Sequence, residues 1–407
     1  MVITNRYLTY ISRVLLSLVF IFSGFTKWVD PAGSQIKFAE YFHAFGAGGL
    51  EPLSLPLSVV VPAAELFIGV MLALGIYKRL TAWATLLFMC FFTLLTFAIW
   101  RFVPVSDCGC FGDFITLSNG ETFAKNLIIM PFAVILFLSR SVPGRVSPRD
   151  LSTALMLTLW SLVLPVYASV VLPLADFLPY GEGTDIRAAM SIPEDADKGE
   201  YRTRLLYRNR LTGDDHLFEI SDTTWYDDTE WEYINTITDI AREGYTPEII
   251  SFSAIDEAGA DHGDDILSAK GYTALVVVRS IEEAQKKSFR KNIERLREDA
   301  ACGVTTIAVT QLDPAQVRAV VGDDILCLNM DQTQLKSMVR SKCGMILLDE
   351  GTIVAKRNML FGMPEICGKA PQQLIKAEKR RKTIWLAAYV ALYFAISIYH
   401  RRGVKRV

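Results

Sequence analysis

Residues 107–113 read DCGCFGD, and Cys108 and Cys110 within them are the two cysteines that stand closest in the chain. Their spacing holds the two Cα atoms to at most about 7 Å, near the upper edge of the roughly 4.4–6.8 Å window of disulfides. A bond across so small a ring is strained, and strained disulfides exchange readily. Gly109 and Gly112 allow the backbone to turn there. Asp107 and Asp113 oppose a thiolate, whereas Arg101 and Lys125 favour one. The chemistry suggested is thiol–disulfide exchange. The competing readings are metal ligation, or a turn whose thiols are inert or pair elsewhere. Glu65 is the third candidate catalytic residue. It lies inside the apolar run 57–77, about eight residues or roughly 12 Å from its start. An ionisable group at that depth is costly and so a candidate for function, as a proton relay or as a hydrogen-bond partner of a quinone. The plainer reading is a protonated carboxyl bonded to a neighbouring helix. No cofactor-binding or metal-ligating residue is assigned.

The elements that must position these residues are apolar runs long enough to cross a bilayer. They cover 7–28, 57–77, 80–100, a shorter 124–139, 151–175 and 383–399. The first is too long for a signal peptide and is followed by no small-residue cleavage site. A short amphipathic helix is expected over 35–45, with His43 an interfacial residue. Trp83 and Trp100 anchor the ends of the third span, and Cys90 within it is a packing residue. The 407 residues suggest two or three domains. Their 51% hydrophobic content and formal net charge of −2 give no reason to expect a nucleic-acid partner.

Lys78 and Arg79, and later Arg140, Arg145 and Arg149, are expected on the cytoplasmic side. The N-terminus is then cytoplasmic and DCGCFGD faces outward, at the end of the second span nearest Glu65. That is a compartment in which a Cys-x-Cys pair can cycle. Residues 176–382 follow outside. RTRLLYR and HLFEI are expected to form a hairpin, and TPEIISFSA a strand. TALVVV (273–278) opens a β-α-β-α-β alternation with a charged helix over 281–300 and strands at 305–310 and 325–330. A hairpin over 345–357 turns at Asp349-Glu350-Gly351. The order implies a mixed α/β sheet with helices on its faces. Cys302, Cys327 and Cys343 are expected to be buried structural thiols, with one disulfide among Cys302, Cys327, Cys343 and Cys367 left open. The basic segments KAEKRRK and HRRGVKRV flank the last span equally, so its direction is not set by charge.

SGFTK closing the first span, AAELFIG and LALGIYKR in and after the second, and CGCFGD after the third resemble the DoxX/MauE group of small four-helix membrane proteins. The whole chain resembles a Bacteroidetes type in which that bundle carries a thioredoxin-like C-terminal region. The implied architecture is a membrane α-helical bundle (1–150), a fifth transmembrane helix (151–176), an extracytoplasmic thioredoxin-like α/β domain (177–375), and a sixth helix with a basic tail (376–407). The resemblance implies thiol oxidation and maturation of disulfide-containing exported proteins at the inner membrane. For some members it implies quinone-linked sulfur oxidation. Two departures stand out: RSIEEAQK follows the first central strand where a Cys-x-x-Cys would stand, and SKCGM stands where a cis-proline is expected. The α/β region is therefore expected to dock or position partners rather than to act as an oxidoreductase. The partners implied are exported protein substrates or envelope proteins, and a non-enzymatic scaffold is the rival reading.

Overall fold

Hydrocarbon offers no hydrogen-bond partner, so long apolar runs satisfy their amides within a helix. The computed structural model describes the chain apart from residues 1–4, 103–104, 106–108, 116, 140–146, 174–176, 194–195, 197–199, 211–213, 220–230, 243–244, 246 and 405–407. Cys108, Asp107, Arg140 and Arg145 lie outside the described residues. Two units are present, one of Met1–Thr184 with Ser253–Val407, the other of Asp185–Phe252.

The first unit opens with α1 (Arg6–Val29), capped by the Asn5 side chain. Asp30 then caps α2 (Pro31–Ala44), accepting from the Gly33 amide, with Pro31 in the first turn where its missing N–H costs nothing. The amphipathic helix expected from residue 35 thus starts at Pro31. A 3₁₀ turn, Gly48–Leu53, leads into α3 (Ser54–Leu74), and α4 (Lys78–Phe102) follows. The short strand β1 (Cys110–Asp113) precedes α5 (Asn119–Leu138). A capping box of Ser118 and Glu121 starts α5 earlier than the fourth span expected at 124–139. A second box, Ser147 with Asp150, starts α6 (Pro148–Val170). Among the described residues, six helices are long and apolar enough to cross a membrane, the last lying in the C-terminal segment, so the chain is a multi-pass helical membrane protein. Leu18, Leu87, Leu94, Ile128 and Leu159 point outward, as a lipid-facing surface requires. Cys90 also faces outward rather than packing inside.

The second unit holds α7 (Ile186–Met190) and an antiparallel sheet of β2 (Glu200–Asn209), β3 (Asp215–Glu219) and β4 (Trp231–Arg242), in the order β3-β2-β4. β2 and β3 are the expected hairpin; β4 has no counterpart among the sequence expectations. TPEIISFSA forms no strand among its described residues: Ile249 and Phe252 are buried, but no ladder partner lies alongside.

Back in the first unit, α8 (Gly263–Ser268) leads into β5 (Tyr272–Val278). The expected helix over 281–300 is two, α9 (Ile281–Ala284) and α10 (Lys287–Asp299), because Lys286 between them is extended. Then come β6 (Thr305–Thr310), α11 (Pro314–Val321), β7 (Leu326–Asn329), α12 (Gln332–Met338), β8 (Cys343–Asp349), β9 (Thr352–Asn358) and α13 (Pro371–Val404). The sheet order is β7-β6-β5-β8-β9, with β5, β6 and β7 parallel and β8 and β9 antiparallel to their neighbours. β5 is buried from Thr273 to Val278, as a central strand covered on both faces must be. Phe289, Ile293 and Leu296 of α10 and Val317 and Val321 of α11 complete that core.

Cys302 is not the buried thiol expected of it; it is bonded to Cys367, with a Cα–Cα distance of 5.7 Å. The bond closes a 65-residue separation, a constraint worth about 4 kcal/mol on loop-entropy grounds. Cys327 and Cys343 are buried thiols.

Trp28 ties α1 to α6 through its indole N–H, 2.7 Å from the Ser161 carbonyl, and stands edge-on to Tyr389 and Tyr393 of α13. α13 begins against the sheet, where Glu378 pairs with Arg357 and Lys382 lies 2.5 Å from Glu182. It ends with His400 3.7 Å from Asp150 at the start of α6. α13 therefore ends beside the Arg149 end of α6, a direction that charge left undecided. The basic flank KAEKRRK lies within α13.

Candidate functional site

α1 and α3 cross with almost no side chain between them. A Cβ on Gly24 would lie 2.5 Å from the Leu66 amide nitrogen, and one on Gly69 2.7 Å from that of Ile21. Only glycine permits so close an approach, the usual device for joining helices in lipid. The contact brings Lys27 of α1 to Glu65 of α3: Nζ is 2.6 Å from both carboxylate oxygens, and both side chains are buried. A buried charge needs such a partner. Glu65 is thus bonded to a neighbouring helix, with the Lys27 side chain as its ion-pair partner.

Ser23, one turn before Lys27, completes the arrangement. Its Oγ is 3.1 Å from Glu65 Oε2 and 2.9 Å from the Cys110 carbonyl oxygen, so its single proton goes to one or the other. Gly109 and Gly112, with φ of 56° and 58°, close the turn that presents this carbonyl, and the Gly112 amide donates to Gly109 O at 3.0 Å. The turn is held from outside by Phe111, edge-on to Phe22, with the Lys125 ammonium 4.2 Å from the Phe111 ring centre.

Glu65 and Cys110 line one cavity of about 70 Å³, together with Ser23, Lys27, Lys37 and Asn126. Asn126 is fixed by donating to Thr96 Oγ1 at 3.2 Å. Two of the three expected site residues, Cys110 and Glu65, therefore share a cavity, while Cys108 is outside the described residues. Lys125 lies at the cavity as expected; Arg101 does not, being exposed at the end of α4. Ser23, Lys27, Lys37 and Asn126 are not singled out by the sequence. Ser23 and Lys27 do stand within SGFTK, and their i, i+4 spacing puts them on one helix face. A cavity of 70 Å³ is far below the roughly 300–1,000 Å³ of small-molecule sites. It has room for a few waters.

The other thiols are placed for inertness. Cys343 is fully buried, its Sγ donating to the Ser280 carbonyl at 3.4 Å. Burial, and then the Glu283 charge, push it up to about 12. Cys327 is pushed up by burial as well. At pH 8 only about one Cys343 in ten thousand is then a thiolate. Iodoacetamide at pH 8 is expected to modify neither Cys327 nor Cys343 in the folded protein, and both after denaturation, as read by peptide mass spectrometry.

No curated protein and no solved structure matches the chain. Residues 5–139, the segment from α1 to α5 that builds this cavity, match the profile of the family described as Methylamine utilisation protein MauE.

Proposed function

We propose that the chain is an inner-membrane thiol–disulfide protein that supports maturation of exported proteins, with its N-terminus cytoplasmic and residues 177–382 periplasmic. Cys108 and Cys110 form the exchanging pair. A substrate thiolate attacks one sulfur of the Cys108–Cys110 disulfide and expels the other as a thiolate. The substrate's second thiolate then displaces the bound sulfur. The substrate leaves as a disulfide, and the two electrons remain on the chain as a dithiol. Lys27, Lys37 and Lys125 line the cavity beside Cys110, a cationic setting that favours a thiolate. Glu65 acts as a positioning residue: fixed by Lys27, it shares the Ser23 hydroxyl with the Cys110 carbonyl, the one proton serving either acceptor.

That hydroxyl bridge between a buried ion pair and the cysteine turn is the observation that carries the reading. The match of residues 5–139 to the MauE profile supports it. The Cys302–Cys367 bond supports an oxidising compartment for the α/β region. The three parallel strands and the antiparallel hairpin support a thioredoxin-like reading of that region.

Acid quench of intact cells followed by maleimide trapping tests the proposal. Wild type is expected to show both oxidised and reduced Cys108–Cys110, shifting with added dithiothreitol or diamide, while Cys110→Ser removes the oxidised form. A pair that stays fully reduced under every condition would sink it.

A second reading is a scaffold presenting an exported binding region. Its support is that Arg279 and Ser280, not cysteines, follow β5, and that Cys327 and Cys343 are buried. Serine at both Cys108 and Cys110 separates the two: full retention of phenotype favours the scaffold, loss at normal protein level favours exchange.

A further inference from the structure

In an open α/β sheet, ligands settle in the crevice beyond the carboxyl ends of parallel strands, where the chain's direction of winding reverses. Here winding goes from β5 to β6 and β7 on one side and to β8 and β9 on the other, so the reversal lies at β5. Arg279 and Ser280 follow β5, Gln311 follows β6 and Gln332 opens α12 after β7. All four line a crevice of about 1,050 Å³ whose opposite wall includes Glu40 and His43 of α2. The volume is at the upper end of the range for small-molecule sites.

The charge on the sheet side of this crevice is one-signed. Arg279, Lys336, Arg340 and Lys342 all line it. Arg340 is committed elsewhere, its guanidinium 2.9 Å from Asp30 Oδ2 with both side chains buried. Arg279 is different. Its described side-chain bond is to a neutral acceptor, the Val339 carbonyl, at 3.2 Å. Burial first, and the Arg340 charge second, hold it below the usual arginine value. The Glu283 charge offsets part of this, but no carboxylate is hydrogen-bonded to Arg279 among its described bonds.

We propose that this crevice is an oxyanion site in which a carboxylate or phosphate group is gripped by the Arg279 guanidinium, with Lys336 and Lys342 at its rim. A planar guanidinium takes two oxygens of such a group at once. The ligand then supplies the hydrogen-bonded anion that the described side chains do not. The site is independent of the cysteine chemistry and stands if that reading fails.

The test uses the full chain in phosphatidylcholine nanodiscs, titrated with inorganic phosphate against sodium chloride of equal ionic strength. Phosphate is expected to raise the unfolding midpoint by about 2–4 °C at saturation. Arg279→Gln is expected to weaken phosphate binding at least about tenfold. Lys336→Gln, a rim change that leaves the core untouched, is expected to weaken it less and serves if Arg279→Gln does not fold. A second arm replaces the phosphatidylcholine by phosphatidylglycerol without free phosphate. An Arg279-dependent rise there alone identifies the oxyanion as a lipid headgroup. No rise in either arm, or a rise that neither variant reduces, overturns the site.

Discussion

Lys27→Met is expected to destabilise the detergent-solubilised protein by about 3–5 kcal/mol, the usual cost of leaving one partner of a buried ion pair alone. Lys27→Met with Glu65→Gln is expected to recover most of that loss. The reason lies in the burial: both side chains are nearly inaccessible, and the ammonium sits 2.6 Å from each carboxylate oxygen. With the cation gone, the Glu65 carboxylate keeps only the Ser23 hydroxyl as a described partner, and that hydroxyl also serves the Cys110 carbonyl. With both charges removed, neither position leaves an unpaired charge buried, and a neutral amide can still bond Ser23. A denaturation series on the two single variants and the double closes a double-mutant cycle. Coupling below about 0.5 kcal/mol would mean that the pair does not hold α1 to α3. The cycle also bears on the thiol pair, because the Ser23 bridge is the described link from the carboxylate to the cysteine turn. If exchange at Cys108–Cys110 survives in the double variant at wild-type rate, Glu65 is structural only.

How far the sequence discloses this site is visible in the contrast between Glu65 and Lys27. A carboxyl in mid-span is conspicuous because its surroundings are uniformly apolar. A lysine two residues from the end of a span looks like an ordinary interfacial cation, and its partner is 38 positions away in sequence. Their meeting depends on a helix crossing that hydrophobic periodicity does not encode. The same limit governs the sheets. β6 and the β8–β9 hairpin follow from local signals, an apolar run and the turn Asp349-Glu350-Gly351 in which Glu350 and Gly351 take positive φ. β4 pairs with β2 across a long separation, and its alternation of Trp231, Tyr233 and polar residues is weak. The apolar Ile249 and Phe252 imitate a strand because burial against a core needs no ladder. The bond at Cys302 escapes a sequence reading for a related reason: Cys367 reaches it only once the sheet has brought the end of α10 to the start of α13.

Gly24→Ala and Gly69→Ala are each expected to cost about 1–3 kcal/mol, the range for forcing extra volume into a packed interface. The new methyl at Gly24 would lie 2.5 Å from Leu66 N and 3.0 Å from its Cα, and that at Gly69 2.7 Å from Ile21 N. These are backbone atoms, which cannot rotate away as a side-chain tip can, so the helices must part. Gly24 is three residues before Lys27, and Gly69 four after Glu65, so on each helix the glycine and the charged group share a face. Parting the helices therefore lengthens the ion pair. Gly24→Ala should cost less in the Lys27→Met/Glu65→Gln background than in wild type, because the pair it would stretch is already gone. Gly49→Ala, where an added methyl would meet nothing within 4 Å, is the control and should stay within about 0.5 kcal/mol of wild type. A Gly24→Ala protein as stable as the Gly49→Ala control would mean that the two helices are not in backbone contact. SGFTK and AAELFIG would then lose their physical explanation as the two halves of one helix crossing, with glycine setting the distance and serine, lysine and glutamate using it.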